Sequence, residues 1–308
     1  MHRIIKVFIT LIFLLVAPLA FCQMFDVSKL HAKELKIKKV SFFHVDELEE
    51  DHLFDTLGNL TESKFHLSIY AKRLRKYNSR GKLIEDIEYD DNDSILDRCI
   101  LHYNKKELPV AVFLYNAKDS ILHTDSSRYT KDGREKEFIR YNSKGNVKYA
   151  FLFRYDKQGK IVSKKEVNRQ KQLEFRTVFK YNTNNRLVEE ITYDALGKMD
   201  VKWETNYDEK GNEIKTFCTG DCPDGGGWIN KYNNENQIVE YIELNENGTV
   251  SGVFQYTYDE RGNKTEITLM NSLGGIIETQ KLKYNDRNLM IEKVKNGEDV
   301  YRAEYEYY

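Results

Sequence analysis

Apolar and polar residues alternate along most of this chain with a period of two. Val147, Tyr149, Phe151, Phe153 and Tyr155 share one parity, while Lys148 and Arg154 take the other. Leu173, Phe175, Thr177, Phe179 and Tyr181 repeat this against Glu174, Arg176 and Lys180. Met199, Val201, Trp203, Thr205 and Tyr207 do so against Asp200, Lys202, Glu204 and Asn206. Period two is the pattern of a half-buried strand, and the runs are too short for a helix with its loops.

A five-residue phrase punctuates the strands: an aromatic residue, Asn or Asp, two variable residues, then usually Gly. It reads Tyr77 to Gly81, Tyr141 to Gly145, Tyr155 to Gly159, Tyr193 to Gly197, Tyr207 to Gly211 and Tyr258 to Gly262. Asn or Asp can bond its own backbone there, and Gly supplies a positive φ without steric cost. From Tyr77 to Tyr207 the aromatic slots step alternately by 12 and 14 residues, with Val167 in one slot, so the period is 26. After a disturbed unit the rhythm resumes at Tyr232 and runs through Leu244, Tyr258, Met270 and Tyr284. A two-residue difference between half-repeats preserves side-chain parity, so one continuous apolar face is possible. The opening tyrosine is expected to close the apolar row at each strand end.

Short connections imply antiparallel neighbours. The expected fold is all-β: a meander of hairpins, roughly sixteen strands, curled into a spiral or an elongated rolled sheet because flatness is costly. Residues 1–22 read as a signal peptide, 23–76 as an N-terminal capping segment with degenerate repeats, and 77–308 as the repeat array, with an inserted loop at 218–228. Within the cap, Glu34 to Val45 reads as a strand and Asp46 to His52 as an acidic loop or short helix.

The leader carries Arg3 and Lys6, then an apolar run from Val7 to Leu19. It is too short to span a bilayer and no basic stop follows it, so export to the periplasm, cell surface or medium is expected. Cleavage is expected after Cys22; that cysteine also raises a lipid anchor, although Phe21 stands where a lipobox wants a small residue. In an exported chain Cys218 and Cys222 read as a local disulfide. Cys99 is left as a buried strand thiol.

Charge is balanced, with 48 Lys and Arg against 49 Asp and Glu. Nothing there favours nucleic acid, which wants a clustered basic face. No phosphate loop, His-Glu-x-x-His or Gly-x-Ser-x-Gly motif occurs. The mature chain's histidines all precede residue 124 and do not cluster at ligand spacing. The acidic stretch Asp90 to Asp97 lacks the Gly and closing Glu of a calcium loop and falls in a turn slot. Glu189 and Glu190 could imitate a glycosidase dyad, but adjacent strand residues point to opposite faces. The expected chain is not an enzyme and needs no metal or cofactor. The one inserted loop, Cys218 to Trp228, is the candidate functional element, with Trp228 and Tyr232 offering aromatic contact to a sugar ring or apolar partner.

Tyr256 to Asn263, Tyr193 to Lys198 and Tyr207 to Asn212 resemble the YD repeats of the Rhs family, a likeness running from Tyr77 to Asn288. That resemblance implies a β-sheet spiral or shell in an exported or surface protein. It also implies roles in toxin encapsulation or in binding carbohydrate and cell surfaces. No toxin domain is expected after the repeats and some sixteen strands could not enclose a folded cargo, so encapsulation is not expected to carry over. The expected function is a non-catalytic binding or structural module at the bacterial envelope, with an envelope protein or carbohydrate as partner. A component of a polymorphic toxin or immunity system, binding through exposed edge strands, is the alternative. An envelope glycan enzyme comes last.

Overall fold

The computed structural model describes residues 31–66, 71–222 and 225–308. The signal peptide and Cys22 lie outside them. A single helical turn, α1 (Ala32–Leu35), is followed by twenty-two strands in one sheet. Every strand pairs antiparallel with its sequence neighbour, from β1 (Ile37–His44) and β2 (Glu47–Phe54) to β21 (Met290–Lys295) and β22 (Asp299–Tyr307). β22 then pairs with β1, through Val40 with Tyr305, Phe42 with Ala303 and His44 with Tyr301.

That last pairing corrects the expected architecture. The sheet is an all-β antiparallel meander, but it closes into a 22-stranded barrel rather than a spiral or open roll. Closure removes both sheet edges. The edge-strand route to a partner therefore has no strand to use among the described residues. Asp46 to His52 is also corrected: from Glu47 it is strand, because Glu50, His52 and Phe54 alternate onto one wall and pair with β3 (Leu60–Phe65).

The unequal half-repeats are what close the ring. The relevant strands are β8 (Ile121–Tyr129), β9 (Glu135–Asn142) and β10 (Val147–Tyr155). Glu137 of β9 faces Arg128 of β8 on one side and Leu152 of β10 on the other. One 26-residue repeat beyond Arg128 stands Arg154, two residues further along β10 than Leu152. Glu189 shows the same slip: it faces Lys180 and Glu204, whereas the repeat-equivalent of Lys180 is Asn206. Each hairpin thus advances by two residues, the difference between 14 and 12. Around 22 strands this accumulates to a stagger of about 22 residues. A stagger equal to the strand number tilts the strands by roughly 36°. At about 4.8 Å between strands, the ring is roughly 130 Å around.

Side chains converge on the concave wall of a ring and splay apart on the convex one. Buried polar residues gather on the tyrosine-parity wall: Ser63, Asp86, Glu88, Asp125, Thr177 and Glu190 are each at most 9% exposed. That wall is the lumen. Its aromatics Tyr149, Phe151 and Phe153 are only half-buried, so the lumen is lined but not filled. The outer wall carries ion pairs at one height, including Lys76–Glu85 (2.6 Å), Arg128–Glu137 (3.1 Å), Lys180–Glu189 (2.5 Å), Lys231–Glu240 (2.5 Å) and Lys283–Glu292 (2.6 Å). The densest apolar cluster packs at the seam, where Ile37, Val40, Phe42, Phe54, Leu289 and Ala303 meet below α1.

The phrase forms the same turn at both rims. Asp156 N–H donates to the Lys160 carbonyl (2.9 Å), and Gly159 N–H donates to the Asp156 carbonyl (3.1 Å). Asp156 Oδ1 accepts from the amides of Gln158 and Lys160, both at 2.9 Å. Gly159 has φ +88°, a conformation glycine takes without Cβ strain. Where the slot is not Gly, Glu107, Asn185 and Asn236 still adopt positive φ.

The tyrosines, however, divide into two classes. At the rim where even-numbered strands end, each hydroxyl bonds a backbone carbonyl at the start of the preceding strand. Tyr77 reaches Leu60 (2.8 Å), Tyr103 Leu83 (2.6 Å), Tyr129 Pro109 (2.6 Å), Tyr155 Glu135 (2.7 Å), Tyr181 Ile161 (2.9 Å), Tyr207 Leu187 (2.8 Å) and Tyr258 Ile238 (2.6 Å). These latches bridge neighbouring strands that no turn joins at that rim. At the far rim Tyr141 and Tyr193 share parity with Glu137 and Glu189, on the outer wall. The expectation that every opening tyrosine closes the apolar row therefore holds at one rim only. The register shifts by one residue beside the turns, as between Arg128 and Tyr129 or between Val147 and Tyr149, which flips parity from one strand to the next, so the same phrase faces opposite walls.

Candidate functional site

The insertion falls between β15 (Glu213–Gly220) and β16 (Gly227–Tyr232). β15 runs alongside β14 (Met199–Tyr207) as far as Gly220, opposite Val201. β16 begins only opposite Phe217, and the chain between them folds back against its neighbours. Cys218 N–H donates to the Gly226 carbonyl (2.7 Å), and Gly226 N–H to the Leu244 carbonyl (2.9 Å). The Cys218–Cys222 disulfide closes this loop. The glycines are required by crowding: a Cβ on Gly226 would lie 1.7 Å from the Asn245 carbonyl oxygen, and one on Gly227 2.1 Å from that of Thr216.

This local packing sets Trp228 at the start of a strand, facing the lumen. Its cross-strand partners are Thr216 on β15 and Glu243 on β17 (Ile238–Leu244). Trp203 of β14 faces Glu190 of β13 (Leu187–Asp194) and Cys218. Because β15 separates them by one strand, the two indoles meet diagonally, centroids 5.7 Å apart and tilted by 40°. They are the only two tryptophans of the chain. Both border a cavity of about 510 Å³, together with Thr205, Thr216, Tyr241 and Glu243.

The polar groups around the cavity differ in how they are satisfied. Trp228 Nε1 donates to Glu213 Oε1 (2.6 Å), which also accepts from Thr216 Oγ1 (2.8 Å). Trp203 Nε1 is buried and has no hydrogen-bond partner among the described residues. Glu190 is 8% exposed, and burial pushes its carboxyl above the usual range. Chemically, the arrangement is a pair of aromatic faces bordered by carboxylates and by one free indole donor.

Tyr232 is placed elsewhere: its hydroxyl bonds the Glu213 carbonyl (2.8 Å), making it a latch rather than part of the cavity wall. The turn residues Gly81, Gly145, Gly159, Gly197, Gly211 and Gly262 all have positive φ and serve the rims. Asp90 is likewise a turn residue, its Oδ1 accepting from Asn92 N–H (2.9 Å) and Ser94 N–H (2.8 Å). Cys99 is a free, buried strand thiol, as expected, and burial raises its pKa to about 12. Of these residues the sequence marks Glu190 only as half of an adjacent carboxylate pair, and it does not single out Trp203, Glu213 or Glu243. The signal available was register: once Trp203 faces Glu190 and Trp228 faces Glu243, all four parities fall on one wall.

No family model matches the chain, and no curated protein matches it. Among solved structures, it is similar to a toxin chain described as TcdB2-TccC3-TEV, with 13% identity over 79% of this chain and a TM-score of 0.47. It spans 14% of that chain's length. It is also similar to the Photorhabdus luminescens Tc holotoxin pore, at 10% identity over 84% of this chain and 18% of that one, with a TM-score of 0.32. A porin-like protein from Bacteroides uniformis matches at 11% identity, covering 88% of this chain and 98% of that one, with a TM-score of 0.34.

Proposed function

We propose that this chain is an exported, non-catalytic binding module of the cell envelope, and that the tryptophan cavity in the lumen is its ligand site. The observation that carries the reading is convergence: residues from strands β13 to β17 bring both tryptophans to one cavity of about 510 Å³. That volume is typical of a small-molecule site, where apolar faces and a few polar groups fix a ligand. The rest of the fold supports such a role. Latches and interlocked turns hold the wall rigid, and the disulfide pins the irregular segment beside the cavity.

The outer wall supports an aqueous rather than a lipid setting for the barrel. β12 (Leu173–Tyr181) presents Glu174, Arg176 and Lys180 outward, and β14 presents Lys202 and Glu204. Charges at mid-strand would be costly against hydrocarbon. No helix among the described residues is long and apolar enough to cross a membrane.

The test uses the mature chain and its Trp228→Ala variant, each incubated with the low-mass fraction of a bacterial envelope extract, washed and examined by native mass spectrometry. The expected result is a bound compound on the parent that is absent from the variant. Identical adducts on both chains would refute the cavity as the site.

A further inference from the structure

Resting on that reading of the cavity, we infer that its ligand is a small organic cation, an amine or quaternary ammonium, seated between the indoles and the surrounding carboxylates. The argument begins with how this chain treats carboxylates elsewhere. On the outer wall Glu85, Glu189, Glu240 and Glu292 each sit within 3 Å of a lysine ammonium. In the cavity Glu190, Glu213 and Glu243 have no ion-pair partner among the described residues, and no Lys, Arg or His contributes to the lining. Glu189 also borders it, but its carboxylate is held by Lys180 (2.5 Å) and Lys202 (3.3 Å).

Glu190 is the most telling group. It is more than nine-tenths buried, lines the cavity, and has no hydrogen-bond or ion-pair partner for its side chain among the described residues. Lys164 is the cation that acts on it, yet that ammonium sits over the Phe151 ring, 5.2 Å from its centroid. Burying a carboxylate without a partner is unfavourable, and a bound cation is the direct remedy. Burial already pushes the Glu190 carboxyl up, the response of a site whose counter-charge is missing.

The indoles point to the same ligand by separate physics. Tryptophan faces attract cations more strongly than other aromatic rings do, and an aromatic cage is the usual way to hold a quaternary ammonium. Two indoles 5.7 Å apart at 40° offer a splayed pair of faces rather than a closed stack. The unpartnered Trp203 Nε1 adds one donor, which suits a cation that also carries a hydroxyl or ether oxygen.

The experiment titrates the mature chain with choline, with its uncharged isostere 3,3-dimethylbutan-1-ol, and with methyl glucoside. Intrinsic emission is the readout, because both tryptophans of the chain are in the site. Choline is expected to quench saturably, with the isostere and the glucoside at least tenfold weaker. Glu190→Gln and Glu243→Gln are each expected to weaken choline at least tenfold while keeping the parent's far-ultraviolet circular dichroism. Equal binding of choline and isostere would overturn the cation assignment while leaving the cavity a ligand site. So would glucoside binding that is indifferent to Glu190→Gln. If none of the three probes alters the emission, the cation assignment falls, while the cavity reading stands or falls on the adduct comparison with Trp228→Ala.

Discussion

Replacing Tyr155 by Phe removes one hydroxyl and little else. The ring stays, so no cavity opens, and the face that Arg134 covers at 5.6 Å is retained. What is lost is the 2.7 Å bond to the Glu135 carbonyl, which ties β10 to β9 at a rim where no turn joins them. A bond of this kind contributes about 1 kcal/mol net, within roughly 0.5–1.5. Rim water can reach the freed carbonyl, which keeps the cost from rising to that of a buried orphan. In a chain of this size the change is about 2 °C in midpoint or slightly less. Tyr141→Phe is the control, because its phrase is the same but its ring lies on the outer wall and its hydroxyl has no partner among the described residues. Its expected effect is within about 0.5 kcal/mol, as for an ordinary surface change. Replacing Tyr103, Tyr129, Tyr155 and Tyr181 together is expected to cost about 4 kcal/mol, since latches in separate repeats share no partner. Urea and thermal unfolding of these variants against the parent decide the matter. Equal losses from Tyr155→Phe and Tyr141→Phe would refute the division of the tyrosines into two classes.

Two further outcomes follow from buried groups. Glu88 and Asp97 face each other across β5 (Leu83–Tyr89) and β6 (Ile95–Tyr103), and burial raises both above their ordinary values of 4.5 and 3.8. A raised carboxyl makes the folded state hold more protons, so its contribution to stability is largest at low pH and falls as pH rises above the ordinary value towards the raised one. Glu88→Gln is therefore expected to stabilise the barrel at neutral pH, with the gain shrinking in acid; denaturation at a series of pH values reads it, and a loss at neutral pH would contradict it. Cys222→Ser opens a short covalent loop and is expected to cost about 2 kcal/mol, on the chain-entropy estimate. Circular dichroism should retain the β signal in that variant, whereas its disappearance would mean the loop nucleates the ring.

Much of the fold is legible in the chain because its signals are local. Alternation at Val147 to Tyr155, and Asn or Asp followed by Gly in the phrase, specify strand and turn from neighbouring residues alone. Closure is a different kind of information. It depends on Val40 meeting Tyr305, a contact between the two ends of the chain, and on a two-residue slip repeated around the ring. The 12 and 14 steps are visible in the sequence. Within one repeat their difference of two only preserves parity, whereas accumulated over all hairpins it is the stagger that a barrel requires. The strand count was underestimated for a related reason: β1 and β3 end in no such phrase and β2 ends only in the degenerate Phe54 to Gly58, yet all three join the ring by pairing.

The site was legible in one residue out of its set. Trp228 stood out because it follows a broken repeat. Its partners lie on regular strands, where Glu190 reads only as half of an adjacent carboxylate pair and nothing marks Trp203 except register. Glu189 and Glu190 do point to opposite walls, as adjacent strand residues must. The consequence is that one pairs with lysines outside while the other faces the cavity.

The most direct test of the account is whether the ring is closed in solution. Lys39 and Glu306 are cross-strand partners at the β1–β22 seam, and both side chains reach solvent. Lys39→Cys with Glu306→Cys places two thiols within reach of a short bis-maleimide, while the buried Cys99, with its pKa at about 12, stays unreactive. A closed barrel predicts complete intramolecular linkage, independent of protein concentration and found by peptide mapping between those two positions. Failure to link, or linkage only between molecules, would contradict closure and, with it, a lumen for the tryptophans to share.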